Sequence, residues 1–229
     1  MPTVAVLNQS RLDDKDVAFA VRAADIQMGR DVMRYWIGLD YCPMNFFSSP
    51  RDLPVASGVS RLMVIKDTLD QPNALGYHSD DVWPYSAVVA HPGFASTISH
   101  EHIEMAVDPT ASVWVKMGNV NVAMEACDPC EAGKYAIEVD ILGEKRQVMV
   151  SNFVFPSWFD TTTSQKQVDF LGQCPGPGQL APGGYEIILD EGGHVRDVWA
   201  QTETPAESMA RRMRKVLNST SRSYRRGVR

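Results

Sequence analysis

The stretch SHEHIEMAVDP, Ser99 to Pro109, reads as a short helix between two groups of strand-like runs. Ser96 or Thr97 can cap its start, and Pro109 disfavours helical geometry at Asp108, so we expect about three turns. A helix among strands, without regular alternation of strands and helices, is typical of the α+β class. The position of this stretch therefore decides the predicted fold class.

The flanking sequence supplies the other elements. Apolar residues at spacings of three and four predict a long amphipathic helix over residues 13–37, which Asp13 or Asp14 can cap and Gly38 can end. A proline- and serine-rich loop is predicted over 42–58, and a glycine- and proline-rich loop over 172–184. β-branched and alternating patterns predict strands, partly as hairpins, at 61–66, 74–78, 86–90, 120–126, 135–142, 147–155, 185–190 and 195–200.

The composition is that of an ordinary globular chain. It has 229 residues, of which 44% are hydrophobic and 22% are charged. This length predicts one domain over residues 1–204 and an arm over 205–229. No signal peptide and no long uncharged apolar run is recognisable, so we expect a protein of the cytoplasm without membrane contact.

The four cysteines are expected to be reduced in that compartment. Cys42 and Cys174 stand alone, whereas Cys127 and Cys130 form one C-x-x-C motif. A single such motif favours two buried thiols beside a turn over a structural zinc site or a redox pair.

The central helix carries the candidate chemistry. Residues four apart on an α-helix share a face, so His100 and Glu104 present an imidazole and a carboxylate together. Glu101 lies beside them, where it could act as general base on a metal-bound water. The pattern is H-E-x-x-E, where the usual zinc motif is H-E-x-x-H. The additional carboxylate moves the preference from Zn²⁺ towards harder divalent ions.

A third metal ligand must come from outside this helix face. Glu125 and Asp128, at and just after the end of a strand-like run, are favoured over Asp108, which marks the helix exit. His78 and His91, each at the end of a strand-like run, are ranked below them. The alternative is a solvated helix face, with Glu101 and His102 pointing outward and no metal bound.

The C-terminal arm is strongly basic. Residues 211–229 contain eight Lys/Arg and no acid, whereas the other 210 residues contain 28 Asp/Glu and 14 Lys/Arg. Such an arm predicts contact with nucleic acid or with an acidic protein surface, or else a solvated end. It has few aromatics for stacking on bases. The candidate partner-binding residues are Arg211, Arg212, Arg214, Lys215, Arg222, Arg225, Arg226 and Arg229.

Four stretches in order, SHEHIEMAVDP, MEACDPCEAGKY, VMVSNFVFPSWFD and LAPGGY, carry a resemblance. Across residues 61–200 the chain resembles a family of mostly uncharacterised proteins of tailed phages and prophages, which implies a host cytoplasm or a virion as its location. More distantly it looks like exordium-like proteins. The resemblance implies a zincin-like α+β domain in which His100, Glu101, Glu104, Asp108, Glu125 and Asp128 occupy the recurrent histidine and acidic positions.

Three functions follow as hypotheses. The first is a metal-dependent, peptidase-like hydrolase that uses Zn²⁺ or another divalent cation and acts on a peptide or protein. The second is a virion structural protein, such as a capsid-decorating or head–tail component, with the zincin-like fold as scaffold. The third is a nucleic-acid-binding module acting through the arm. The aromatics Phe153, Phe155, Trp158 and Phe159 are expected to close a core.

Overall fold

The computed structural model describes residues 3–39, 41–53, 59–70, 74–79 and 84–200. The predicted arm lies outside these residues. Two compact units are distinguished. The first contains the described residues within 1–69, 75–110 and 134–151, and the second those within 70–74, 111–133 and 152–229.

The first unit contains a five-stranded mixed sheet, a hairpin and the two α-helices of the described chain. The elements are β1 (Thr3–Gln9), α1 (Asp14–Arg30), β2 (Met44–Phe47), β3 (Val59–Lys66), β4 (Gly76–Ser79), β5 (Tyr85–Val89), α2 (Phe94–Val107), β8 (Lys134–Ile141) and β9 (Glu144–Ser151). The sheet has the order β2-β1-β3-β5-β4, in which only the pair β4–β5 is antiparallel. The α+β class and the long N-terminal helix are therefore confirmed.

The second unit contains a four-stranded antiparallel sheet of order β11-β10-β7-β6. Its long loop over 172–184 contains neither helix nor strand, as predicted. Cys127 and Cys130 are buried beside a short 3₁₀ turn, Asp128–Cys130, which agrees with the predicted thiols at a turn. The strands are β6 (Trp114–Met117), β7 (Val120–Ala123), β10 (Tyr185–Leu189) and β11 (Val195–Trp199).

Helix α1 ends earlier than predicted, at Arg30 instead of residue 37. Asp13 does cap its start, with a carboxylate oxygen 2.7 Å from the Lys15 N–H. At the other end, the Asp31 carboxylate accepts hydrogen bonds from Arg30 and from the Tyr135 hydroxyl, each at 2.7 Å. This tertiary contact accompanies the departure from α-helical geometry at Asp31.

Helix α2 begins before the predicted caps. Its N-cap is Gly93, and Ser96 lies within the first turn, where its hydroxyl donates to the Gly93 carbonyl at 2.8 Å. The C-terminal prediction is confirmed, because Asp108 is the C-cap and its N–H donates to the Glu104 carbonyl.

Three strands were not predicted: β1, β2 and β6. Strand β1 is a short apolar run whose Val4, Ala5 and Val6 have no exposed surface, as expected for a central strand covered on both faces. A run of that length does not by itself distinguish a strand from a piece of helix. Strand β2 lies within the segment predicted as a loop.

The core of the first unit lies between its sheet and both helices. Val6, Ile65 and Val88 from the sheet cluster with Ala20 of α1 and Ile98 of α2. Helix α2 also contacts β9, where the Ser151 N–H donates to the Ser99 hydroxyl at 2.7 Å. These contacts fix the rotation of α2, and therefore decide which of its side chains face strand β4.

Candidate metal centre

The candidate site is formed by one strand and one helix of the first unit. Edge strand β4 carries His78, which pairs in register with Ser86 of β5. Helix α2 packs against both strands and carries His100, Glu101 and Glu104. Apart from His100, these side chains are almost completely buried. The outward-facing alternative is wrong, because Glu101 is 2% exposed and His102 is 1% exposed.

The distances between the side chains define the geometry. His78 Nδ1 lies 3.6 Å from Glu101 Oε2 and 3.8 Å from Glu104 Oε2. His100 Nε2 lies 3.1 Å from the same Glu104 oxygen. The predicted pairing of His100 and Glu104 on one helix face is therefore present, and His78 comes from the sheet to meet the two carboxylates.

Burial makes this group of acids costly. The side chains of Glu101 and Glu104 are 2% and 0% exposed. A buried carboxylate is strongly disfavoured unless it is paired, hydrogen-bonded or bound to a metal. Glu101 Oε2 has no hydrogen-bond partner among the described residues. Its distance of 3.6 Å to His78 is beyond the hydrogen-bond range, so the histidine does not satisfy it in that way.

The donor set fits a divalent cation. His78, Glu101 and Glu104 each offer one ligand atom, and these atoms lie within 4.8 Å of one another. Bonds of about 2.0–2.2 Å from one metal ion place neighbouring ligand atoms roughly 3.0–3.5 Å apart. The 3.6 and 3.8 Å separations need to shorten by only a few tenths of an ångström. Two carboxylates also balance the charge of one divalent cation.

His100 has a different position in the group. Its side chain is 12% exposed, the largest value among the four residues. Its Nε2 lies 3.1 Å from Glu104 Oε2, and with Glu104 it belongs to a second candidate metal group, so its assignment as a ligand stays a prediction. His100 therefore approaches the Glu104 carboxylate as the least buried of the four side chains.

The remaining sequence candidates are not members of the His78 group. Glu125 and Asp128 are buried in the second unit, and their assignment as the third ligand stays a prediction. Asp108 caps α2, and its carboxylate accepts from the Thr110 hydroxyl at 3.3 Å. It belongs to no candidate metal group among the described residues.

The two histidines that were ranked last have separate positions. His91 lies at the start of α2, where Nδ1 accepts from the Gly93 N–H and Nε2 lies 3.0 Å from the Thr97 hydroxyl. Both ring nitrogens are thus used to organise the helix start. His78 joins the acidic group instead. No local sequence signal separated the two, since each ends a strand-like run.

His102 is a buried neutral base. Its Nε2 lies 3.4 Å from the Cys42 carbonyl, and burial lowers its pKa to about 4. Unfolding restores the ordinary pKa of about 6.5, so the unfolded chain binds more protons between these two values. The stabilisation from neutral His102 is complete above pH 6.5 and is lost as the pH falls towards 4.

A pH dependence of stability follows. The shift corresponds to about 3 kcal/mol of unfolding free energy lost on acidification from pH 7 to pH 4. We expect the free energy of unfolding of His102→Gln, measured with denaturant in the presence of a chelator, to fall less over this pH range than that of the wild type. His194→Gln serves as a control, because His194 is exposed, and its free energy of unfolding should depend on pH as in the wild type. Equal slopes for all three proteins would contradict the assignment.

Comparison with known proteins gives no assignment. No protein-family model, no curated protein and no solved structure matches the chain. Neither α1 nor α2, the two α-helices among the described residues, combines the length and apolar character of a membrane span. The virion and nucleic-acid contacts predicted for the arm fall on residues 205–229 and stay predictions.

Proposed function

We propose that His78, Glu101 and Glu104 bind one divalent metal ion, and that the protein is a metal-dependent hydrolase with a zincin-like body. The observation that carries the proposal is the convergence of two buried carboxylates on the Nδ1 atom of one buried histidine. A hydrolase is the function that the H-E-x-x-E helix and the family resemblance support. Peptides or proteins are the proposed substrates.

The proposal changes the roles assigned from the helix alone. Glu101, first considered as a general base, becomes a ligand, because its Oε2 faces His78 in the same way as Glu104. His100 keeps the Glu104 carboxylate oriented. When bound, the ion supplies Lewis-acid polarisation of a substrate carbonyl and activation of water. The one neutral imidazole and two carboxylates favour Mn²⁺, Mg²⁺ or Ca²⁺ more than an all-histidine site does.

Metal loading tests the proposal directly. The purified chain is stripped with a chelator, dialysed against Zn²⁺, Mn²⁺ or Ca²⁺, and analysed for its metal content. We expect one ion per chain, and loss of that ion in Glu104→Gln. Glu138→Gln is the matched control, because Glu138 is an exposed acid on β8, and it should load like the wild type.

The outcomes separate binding from catalysis. A wild-type chain that retains none of the three ions would refute the site, as would full loading of Glu104→Gln. Hydrolysis is then measured on a mixed peptide library with the loaded protein. An ion that binds at one per chain without any cleavage would keep the metal site and remove the hydrolase.

A further inference from the structure

We infer that Gly76 is a positioning residue of the metal site, because its missing side chain leaves the space that the Glu101 carboxylate occupies. The inference rests on the proposed function for its effect on metal binding. Gly76 is buried in β4, two residues before His78, so the same short strand provides the histidine and the space for its carboxylate partner.

The available space is measured by the atoms that a Cβ at Gly76 would meet. Glu101 Oε1 would be 2.5 Å away, Glu101 Cγ 2.9 Å and Thr97 Cγ2 2.8 Å. All three separations are shorter than carbon–carbon and carbon–oxygen van der Waals contact, which begins at roughly 3.5 Å. An alanine at this position therefore has to displace Glu101, Thr97 or both.

Glu101 cannot give way without leaving its place beside His78. The residue is 2% exposed, so it does not border bulk solvent into which its carboxylate could move. The new Cβ would overlap with two atoms of Glu101, the Cγ atom and the carboxylate Oε1 atom. A changed rotamer then moves Oε2 away from its position 3.6 Å from His78 Nδ1. Glu101 is then no longer placed to bind the same ion as His78 and Glu104.

A purely structural role for Gly76 is the competing explanation. A close approach of helix and strand commonly requires glycine, whatever the helix carries. The overlap with Thr97 belongs to this general packing, whereas the overlap with Glu101 belongs to the site. Removing the two overlaps separately distinguishes the explanations.

The first measurement is metal affinity by titration calorimetry with Mn²⁺ and Zn²⁺. Gly76→Ala is expected to weaken binding by about 10- to 100-fold, the range typical for residues that orient metal ligands. Gly29→Ala is the matched control, because Gly29 lies exposed in α1 with no atom within 4 Å of an added Cβ. The control should bind like the wild type.

The second variant separates packing from ligand positioning. In Gly76→Ala with Thr97→Ser, the overlap with Thr97 Cγ2 is removed while the hydroxyl that faces His91 is retained. We expect this double variant to recover part of the melting temperature that Gly76→Ala loses, without recovering metal affinity. Recovery of both together would overturn the positioning role, as would wild-type affinity in a folded Gly76→Ala protein.

The third measurement does not need the metal. In chelator, the melting temperatures of the wild type, Gly76→Ala, Glu101→Asp and the variant that combines Gly76→Ala with Glu101→Asp form a double-mutant cycle. Because aspartate is shorter by one methylene, Gly76→Ala should cost fewer degrees in the Glu101→Asp protein than in the wild type. Equal costs would overturn the proposed contact. If the wild type binds no ion, the proposed function fails while this cycle still decides the contact.

Discussion

His78→Ala should weaken binding of the divalent ion by at least about 100-fold, since even residues that only orient ligands contribute 10- to 100-fold. The physical reason is that His78 is the nitrogen donor of the group and faces both carboxylates. Without it, only the two carboxylates of Glu101 and Glu104 remain as ligands in the group. Titration calorimetry with Mn²⁺ and Zn²⁺ measures the change.

His91→Ala is the matched control for this prediction. His91 also ends a strand-like run, but its ring nitrogens face the Gly93 N–H and the Thr97 hydroxyl. Its replacement should lower stability through the start of α2 and leave the metal affinity close to that of the wild type. If His91→Ala loses the ion and His78→Ala keeps it, the ligand set proposed for this site is wrong.

The second large effect concerns the stability of the second unit. Trp158→Ala should reduce the free energy of unfolding by about 3–5 kcal/mol, the usual range for removing a large buried aromatic. Trp158 has no exposed surface, its indole N–H donates to the Gln179 carbonyl at 2.9 Å, and its ring contacts Phe159 with centroids 4.9 Å apart. Denaturant unfolding followed by circular dichroism measures the loss.

Another tryptophan of the same unit provides the comparison. Trp199 stacks on Tyr185 with ring centroids 4.5 Å apart, but it is only half-buried. Trp199→Ala should therefore cost clearly less than Trp158→Ala. An equal or larger cost for Trp199→Ala would show that Trp158 is not the main anchor of this core.

The aromatic residues illustrate what sequence reasoning predicts well. Phe153, Phe155, Trp158 and Phe159 were expected in a core, and all are buried. Burial of large aromatics removes much apolar surface from water, and this gain depends little on which partners they meet. The same holds for most strands and both α-helices, whose patterns of apolar residues are local.

The position of strands in a sheet was less predictable. The run TVAVLNQ forms β1, an interior strand between β2 and β3 of a mostly parallel sheet, although it carries no alternating pattern. A central strand is buried on both faces, so its sequence does not show which neighbours it will have. At the end of α1, Asp31 accepts a hydrogen bond from Tyr135, a contact that the local pattern of apolar residues does not indicate.

By itself, the sequence determined that His100 and Glu104 share one face of a helix and that Asp108 ends it, because helical periodicity and the following proline act over a few residues. Only the tertiary structure decided that α2 buries Glu101, and that His78, not His91, meets these acids. It also showed that a glycine on the neighbouring strand gives Glu101 its space. Those facts depend on how the helix is rotated against the sheet, which the packing of residues far apart in the chain determines.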